Sequence, residues 1–139
     1  IRWGKLREFI HEQIEFDFLG FSFRPRYFPH NPKRTRLCFV PVISPRAAKR
    51  IRQAINDWPW GYWIQRDIRT ILHYARDKLQ GWMAYYGEFG AYRLKSVLFH
   101  FDKKLTRWAM KKYQSLSRAR AVRAIMKYAR AHAGRLAHW

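Results

Sequence analysis

The stretch SPRAAKRIRQAINDWP, residues 44–59, decides how this chain is read. Ser44 is a residue type that caps the free N–H groups of a helix start, and Pro45 has its φ already set for the first helical position. Ala47, Ala48, Ile51, Ala54, Ile55 and Trp58 then recur at helical spacing, and Pro59 stops the run. The opposite side carries Arg46, Lys49, Arg50 and Gln53. One short segment therefore predicts a helix with a packing face and a cationic face.

The same pattern continues toward the C-terminus. A second helix is expected over about 65–86, with Ile68, Ile71, Leu72, Ala75, Leu79, Trp82, Met83 and Tyr86 at helical spacing. Gly81 interrupts it, and Gly87 and Gly90 flank the following turn. A third helix, about 92–113, buries Leu94, Val97, Leu98, Phe101, Leu105, Trp108 and Ala109, and a fourth, about 118–131, buries Val122, Ile125, Met126 and Ala129. Toward the N-terminus, FDFLGFSFR (16–24) alternates as a strand with Gly20 at a bulge or a close approach, and LCFVPVI (37–43) reads as an edge strand because it contains Pro41. PRYFPHNPKRTR (25–36) between them reads as a long hairpin loop or arm, while residues 1–15 show no decisive pattern. The expected fold is mainly α: a short β-hairpin followed by a helical bundle of about four helices.

Composition bounds what such a fold does. The 139 residues hold 29 Lys and Arg against 9 Asp and Glu, a net charge of +20. Hydrophobic residues at 48%, with 7 Trp, 8 Tyr and 10 Phe, give enough apolar area for a core, so wholesale disorder is excluded. No apolar run approaches the ~20 residues of a membrane-spanning helix, and the charged stretch from Ile1 to Ile10 is no signal peptide. The lone Cys38 forms no internal disulfide and reads as a small buried hydrophobe, which points to a reducing, cytoplasmic setting. The chain opens in mid-element at Ile1, as a piece of a longer polypeptide would.

The charge is unevenly placed. Glu8, Glu12, Glu15 and Asp17 precede residue 18, and no acid follows Asp102. Beyond it come Lys103, Lys104, Arg107, Lys111, Lys112, Arg118, Arg120, Arg123, Lys127, Arg130 and Arg135. A solvated face normally mixes signs, so an acid-free stretch of this length points to a polyanion. Nucleic acid is favoured over an anionic membrane, because basic residues recur on several segments instead of one amphipathic anchor.

Within the fourth helix Arg120, Arg123, Lys127 and Arg130 are spaced three, four and three apart and share a face. Their mutual repulsion is relieved if a phosphate backbone runs along them. Lys103, Lys104, Arg107 and Lys111, with His100 beside them, form a second such face, and a connection of four residues (114–117) lets the two faces merge into one groove. Further candidate contacts are Arg24, Arg26, Lys33, Arg34 and Arg36 on the arm, and Lys49 and Arg50 on the first helix. Tyr85 joins them, pointing away from the Trp82/Tyr86 stripe where it can stack on an unpaired base. The six histidines and one cysteine lack zinc-ligand spacing, and Asp57, Asp67 and Asp77 read as local charge partners, Asp67 also at a helix N-terminus. No phosphate loop or nucleophile elbow is present, so this chain by itself is expected to have no catalytic or metal residues and no cofactor.

Five ordered stretches carry a resemblance: FDFLGFSFRPR (16–26), PVISPRAAKRIRQAI (41–55), LQGWMAYYGEF (79–89), LTRWAMKKY (105–113) and AHW (137–139). Together they resemble the C-terminal part of group II intron reverse transcriptase/maturases. The resemblance implies that residues 1–43 are the end of the polymerase palm with a basic arm. It further implies that 44–86 are thumb helices and that 87–139 are the maturase-specific X domain. It also implies structured intron RNA, an RNA/DNA template-primer duplex and the rest of the reverse transcriptase chain as partners, with no membrane. The family's polymerase aspartates, which would need Mg, belong to an upstream Tyr-Ala-Asp-Asp motif absent from this sequence, so polymerase activity does not carry over to this chain.

Overall fold

The computed structural model describes residues 15–31, 34–115, 117–131, 136 and 138. Three strands form an antiparallel sheet in the order β1-β2-β3: β1 Phe16–Phe18, β2 Phe21–Asn31 and β3 Arg34–Ile43. The helices that follow are α1 Pro45–Asn56, a short 3-10 helix Tyr62–Gln65, α2 Ile68–Lys112 and α3 Arg118–Ala131. The mainly helical expectation, with strands first, is correct.

The strands differ from expectation in two places. Gly20 is not at a bulge within one strand, but it is at a close approach, since an added Cβ would lie 2.8 Å from the Tyr86 hydroxyl oxygen. Phe18 pairs with Phe21, so Leu19 and Gly20 form a two-residue hairpin turn, with φ of 49° and 83°. Positive φ at both positions is what a turn matching the right-handed twist of the strands requires. Residues 25–36 are not a long loop either: β2 and β3 stay paired from Phe21↔Ile43 out to Asn31↔Arg34, with an irregularity between Pro29 and Asn31. Pro25 and Pro29 are compatible with this ribbon because proline lacks only one donor. Pro41 lies on the edge strand β3, as expected.

The start of α1 follows from its sequence. The Ser44 hydroxyl accepts from the Ala47 N–H at 3.1 Å, and the Ser44 N–H donates to the Gly20 carbonyl at 2.8 Å. One residue thus caps the helix and fastens it to the hairpin turn. Asp67 does the capping for α2, accepting from the Arg69 N–H. Asp57 accepts from Gln53 Nε2 at 2.9 Å.

The two helices expected over 65–86 and 92–113 are both present as the two arms of α2, which meet at Gly90, where the backbone leaves helical geometry. A straight helix would hold Ile68 and Trp108 ~60 Å apart at 1.5 Å per residue, yet both line one cleft. Trp108 Nε1 donates to the Trp63 carbonyl at 2.8 Å, and Lys112 Nζ to the Arg66 carbonyl. The bend folds the arm after Gly90 back along the arm before it. An added Cβ there would lie 3.1 Å from Val42 Cγ1, so a side chain fits only if Val42 gives by a few tenths of an ångström.

Trp58 sits at the centre of the resulting core. It stacks on Trp82 (6.3 Å, 7°) from the first arm of α2 and meets Phe101 edge-on (5.7 Å) from the second. Ile55, Ile71, Leu79, Leu94, Leu98 and Leu105 are fully buried around it. At the C-terminal end Leu136 is buried, and His138 Nε2 lies 3.0 Å from Asp102 Oδ1.

Candidate nucleic-acid interface

The helices bury their apolar stripes and turn their cations outward. Arg46, Lys49 and Arg50 on α1 are exposed, opposite the buried Ala47, Ala48, Ile51 and Ile55. On α3, Arg118, Arg120, Arg123 and Lys127 are exposed. Its buried face, however, is Ala121 and Ile125, whereas Val122 and Met126 are 38% and 37% exposed. The expectation that Val122 and Met126 pack in the core is therefore wrong. α3 is rotated so that its small Ala121 meets α2 and its larger apolar side chains edge the surface. The side chains of Ala129 and Arg130 lie outside the described ones.

The second arm of α2 and α3 do form a groove together. About 330 Å³ of space lies between them, with Phe99, Met110, Val122 and Met126 among its apolar lining and Lys103, Arg107 and Arg118 among its cations. Lys103 Nζ lies 5.3 Å from the centre of the Phe99 ring. Asp102 also lines this groove, facing His138. Arg69 Nε donates to the Tyr128 hydroxyl at 2.7 Å, which holds α3 onto the start of α2.

Other expected contacts are distributed differently. Lys104 and Lys111 lie on the second arm of α2, Lys111 exposed and Lys104 half-buried. Lys112 is drawn back over the Trp108 and Tyr113 rings and toward the Arg66 carbonyl, so it braces the fold. His100 Nε2 lies 2.9 Å from Asn56 Oδ1. Burial, followed by the nearby charges of Lys104, Arg52, Lys103 and Arg107, pushes the His100 imidazole below its ordinary pKa. Tyr85 is half exposed, but its hydroxyl donates to the Leu19 carbonyl at 3.2 Å and its ring lies against Phe21 and Tyr86. It joins the hairpin turn to α2 while remaining half exposed. Burial pushes the Tyr86 phenol up from its usual pKa. Lys33 and the side chains of Arg26, Arg34, Arg36 and Cys38 lie outside the described ones.

A second cleft, about 490 Å³, opens between the sheet, α1 and the second arm of α2. It brings Arg24, which pairs with Glu15 at 3.8 Å, together with Arg52, Tyr92 and Arg93. Arg52 and Arg93 were not singled out from sequence. Arg52 lies one step round α1 from the Lys49/Arg50 face, and only the packing of α1 beside α2 places it with Arg24. Exposed aromatics elsewhere also carry cations: Arg66 over Tyr62 at 4.8 Å, Lys78 over Tyr74 at 5.2 Å and Arg93 over Tyr92 at 5.7 Å. Paired flat rings and cations suit a ligand with both π-faces and phosphates.

Among the described residues no three His, Cys, Asp or Glu side chains converge as a metal site. No helix of the described residues is long and apolar enough to cross a membrane.

No curated protein and no solved structure matches the chain. A family model described as "Group II intron, maturase-specific domain" matches residues 48–128, a span that runs from α1 through the bent α2 into α3. This covers more than half of the sequence, and the chain belongs to the family of the group II intron maturase-specific domain.

Proposed function

We propose that this chain is the RNA-binding thumb and maturase region of a group II intron-encoded reverse transcriptase. Its helical faces clamp folded intron RNA for splicing and hold the template-primer duplex during reverse transcription. The observation that carries the reading is the predominantly cationic outer surface of α1, α3 and the second arm of α2. On it Lys49, Arg50, Lys103, Arg107, Arg118, Arg120, Arg123 and Lys127 surround a rigid, densely aromatic core. Positive helical faces grip phosphates through counterion release without reading sequence, which suits both a structured RNA and a template-primer duplex. No metal or cofactor is required for this grip, and the work is done in the cytoplasm, where the intron RNA and the rest of the polymerase chain are the partners.

Binding of a folded intron RNA, a duplex DNA of equal length and anionic vesicles, measured side by side over a salt series, tests this. The expected result is preferential binding to structured RNA, with a slope of log affinity on log salt of about −0.7 to −0.9 per phosphate neutralised. Equal or tighter binding to duplex DNA would instead identify a DNA-binding or architectural basic module.

A further inference from the structure

We propose that the groove between the second arm of α2 and α3 receives a single unpaired nucleobase, extruded from the RNA whose backbone the surrounding cations hold. The inference rests on the RNA-binding reading above and adds what part of the RNA is taken up. Three observations carry it. Val122 and Met126, together with the half-exposed Phe99, give the groove an apolar floor that α3 does not bury, although Ala121 and Ile125 on the same helix are buried. Lys103, Arg107 and Arg118 stand around that floor, and Lys103 lies against the Phe99 ring. The acid in the groove, Asp102, is engaged by His138 at 3.0 Å, which leaves the rim dominated by cations.

Size and charge select the occupant. The space of about 330 Å³ is at the small end of ligand clefts, which run from ~300 to ~1,000 Å³. A partner helix is ~10–12 Å across and would need several apolar anchors along a longer trough. A flat aromatic heterocycle needs only an apolar floor and one ring to stack on, and the phosphates flanking an extruded nucleotide meet the rim cations. A base inside a duplex cannot enter, so the groove distinguishes bulged or looped RNA from perfectly paired RNA.

The test uses the 139-residue chain and three RNA hairpins of equal length: fully paired, with one bulged purine, and with an abasic residue at the bulge. The bulged RNA is expected to bind tighter than the abasic one by about 5- to 150-fold, the range that one stacked base supplies. In Val122→Phe, which fills the groove, and in Met126→Ser, which strips its floor, that ratio falls toward one. Each variant is judged only where its melting curve shows a folded chain, and both positions are over a third exposed, so at least one is expected to fold. A ratio near one in the unaltered chain, with RNA binding that remains steeply salt-dependent, overturns base insertion and leaves the broader reading standing. Loss of salt-dependent RNA binding altogether overturns both. A four-turn acidic amphipathic peptide that binds the unaltered chain, loses binding in Val122→Phe and leaves the base ratio untouched would assign the groove to a protein partner.

Discussion

Replacing Ile125 by Ala tests the rotation of α3, because the sequence pattern buries Val122, Ile125 and Met126 alike and the structure buries only Ile125 of the three. Ile125 is 6% exposed. The substitution removes about three methyl or methylene groups, and at ~0.8 kcal/mol each their lost burial is ~2.4 kcal/mol. Ile125 lines both the α2/α3 groove and the apolar cleft behind it, so the hole opens to solvent on two sides instead of becoming a sealed void. The added cavity cost is correspondingly small, which puts the total at ~2–3 kcal/mol, the lower part of the ~2–5 kcal/mol seen for such truncations. Met126→Ala, at a position 37% exposed, should cost less than ~1 kcal/mol. Urea unfolding followed by tryptophan fluorescence measures both. A third variant, Arg120, Arg123 and Lys127 all to Gln, should lose less than ~0.5 kcal/mol per site while lowering the salt slope of RNA binding by ~2–3. Equal costs at Ile125 and Met126 would refute the rotation, and RNA affinity unchanged in the Gln variant would reduce that face to solvated surface.

Two further outcomes are expected. Gly20→Ala places a methyl group at φ +83°, 2.8 Å from the Tyr86 hydroxyl oxygen, and should destabilise by ~1–3 kcal/mol; a neutral or stabilising effect in urea unfolding would contradict the turn geometry. For His100, whose folded pKa is depressed below 6.5, the unfolded chain binds the proton more readily. Its contribution is therefore complete above pH 6.5 and is lost as pH falls from there through the folded value. Midpoints measured between pH 5 and 7.5 should fall less steeply in His100→Gln than in the unaltered chain, and parallel curves would count against the assignment.

Local physics made much of this fold readable in one dimension. The Ser44-Pro45 start of α1 needs only a hydroxyl that reaches its own helix and a ring with the right φ. The stripe from Leu94 to Trp108 has one apolar phase at a 3.6-residue period, so its burial follows whatever it packs against. The grouping of Arg120, Arg123 and Lys127 on one side of α3 is equally a matter of spacing along a helix. Gly20 was harder, since a strand and a two-residue hairpin share the same alternating pattern. The positive φ at Leu19, a residue with no special liking for it, is imposed by the register Phe18↔Phe21.

What α3 buries is of another kind. Ala121, Val122, Ile125 and Met126 together form an apolar arc wide enough to be turned two ways, and helical periodicity does not choose between them. The choice comes from the partner surface: Ala121 and Ile125 turn toward the cleft they line with Trp108 and Ala109 of the second arm of α2 and are buried, leaving Met126 at the rim. The same holds for the cations. Sequence spacing puts Lys103 and Arg107 on one helix and Arg118 on another, and it puts Arg24, Arg52 and Arg93 on three separate elements. The first group is assembled where α3 folds back onto the second arm of α2, and the second where the reversal of α2 at Gly90 lays that arm beside α1 and the sheet. A charge pattern belongs to a helix, but a groove belongs to the contact between two, and that contact is settled by long-range packing that no local period encodes.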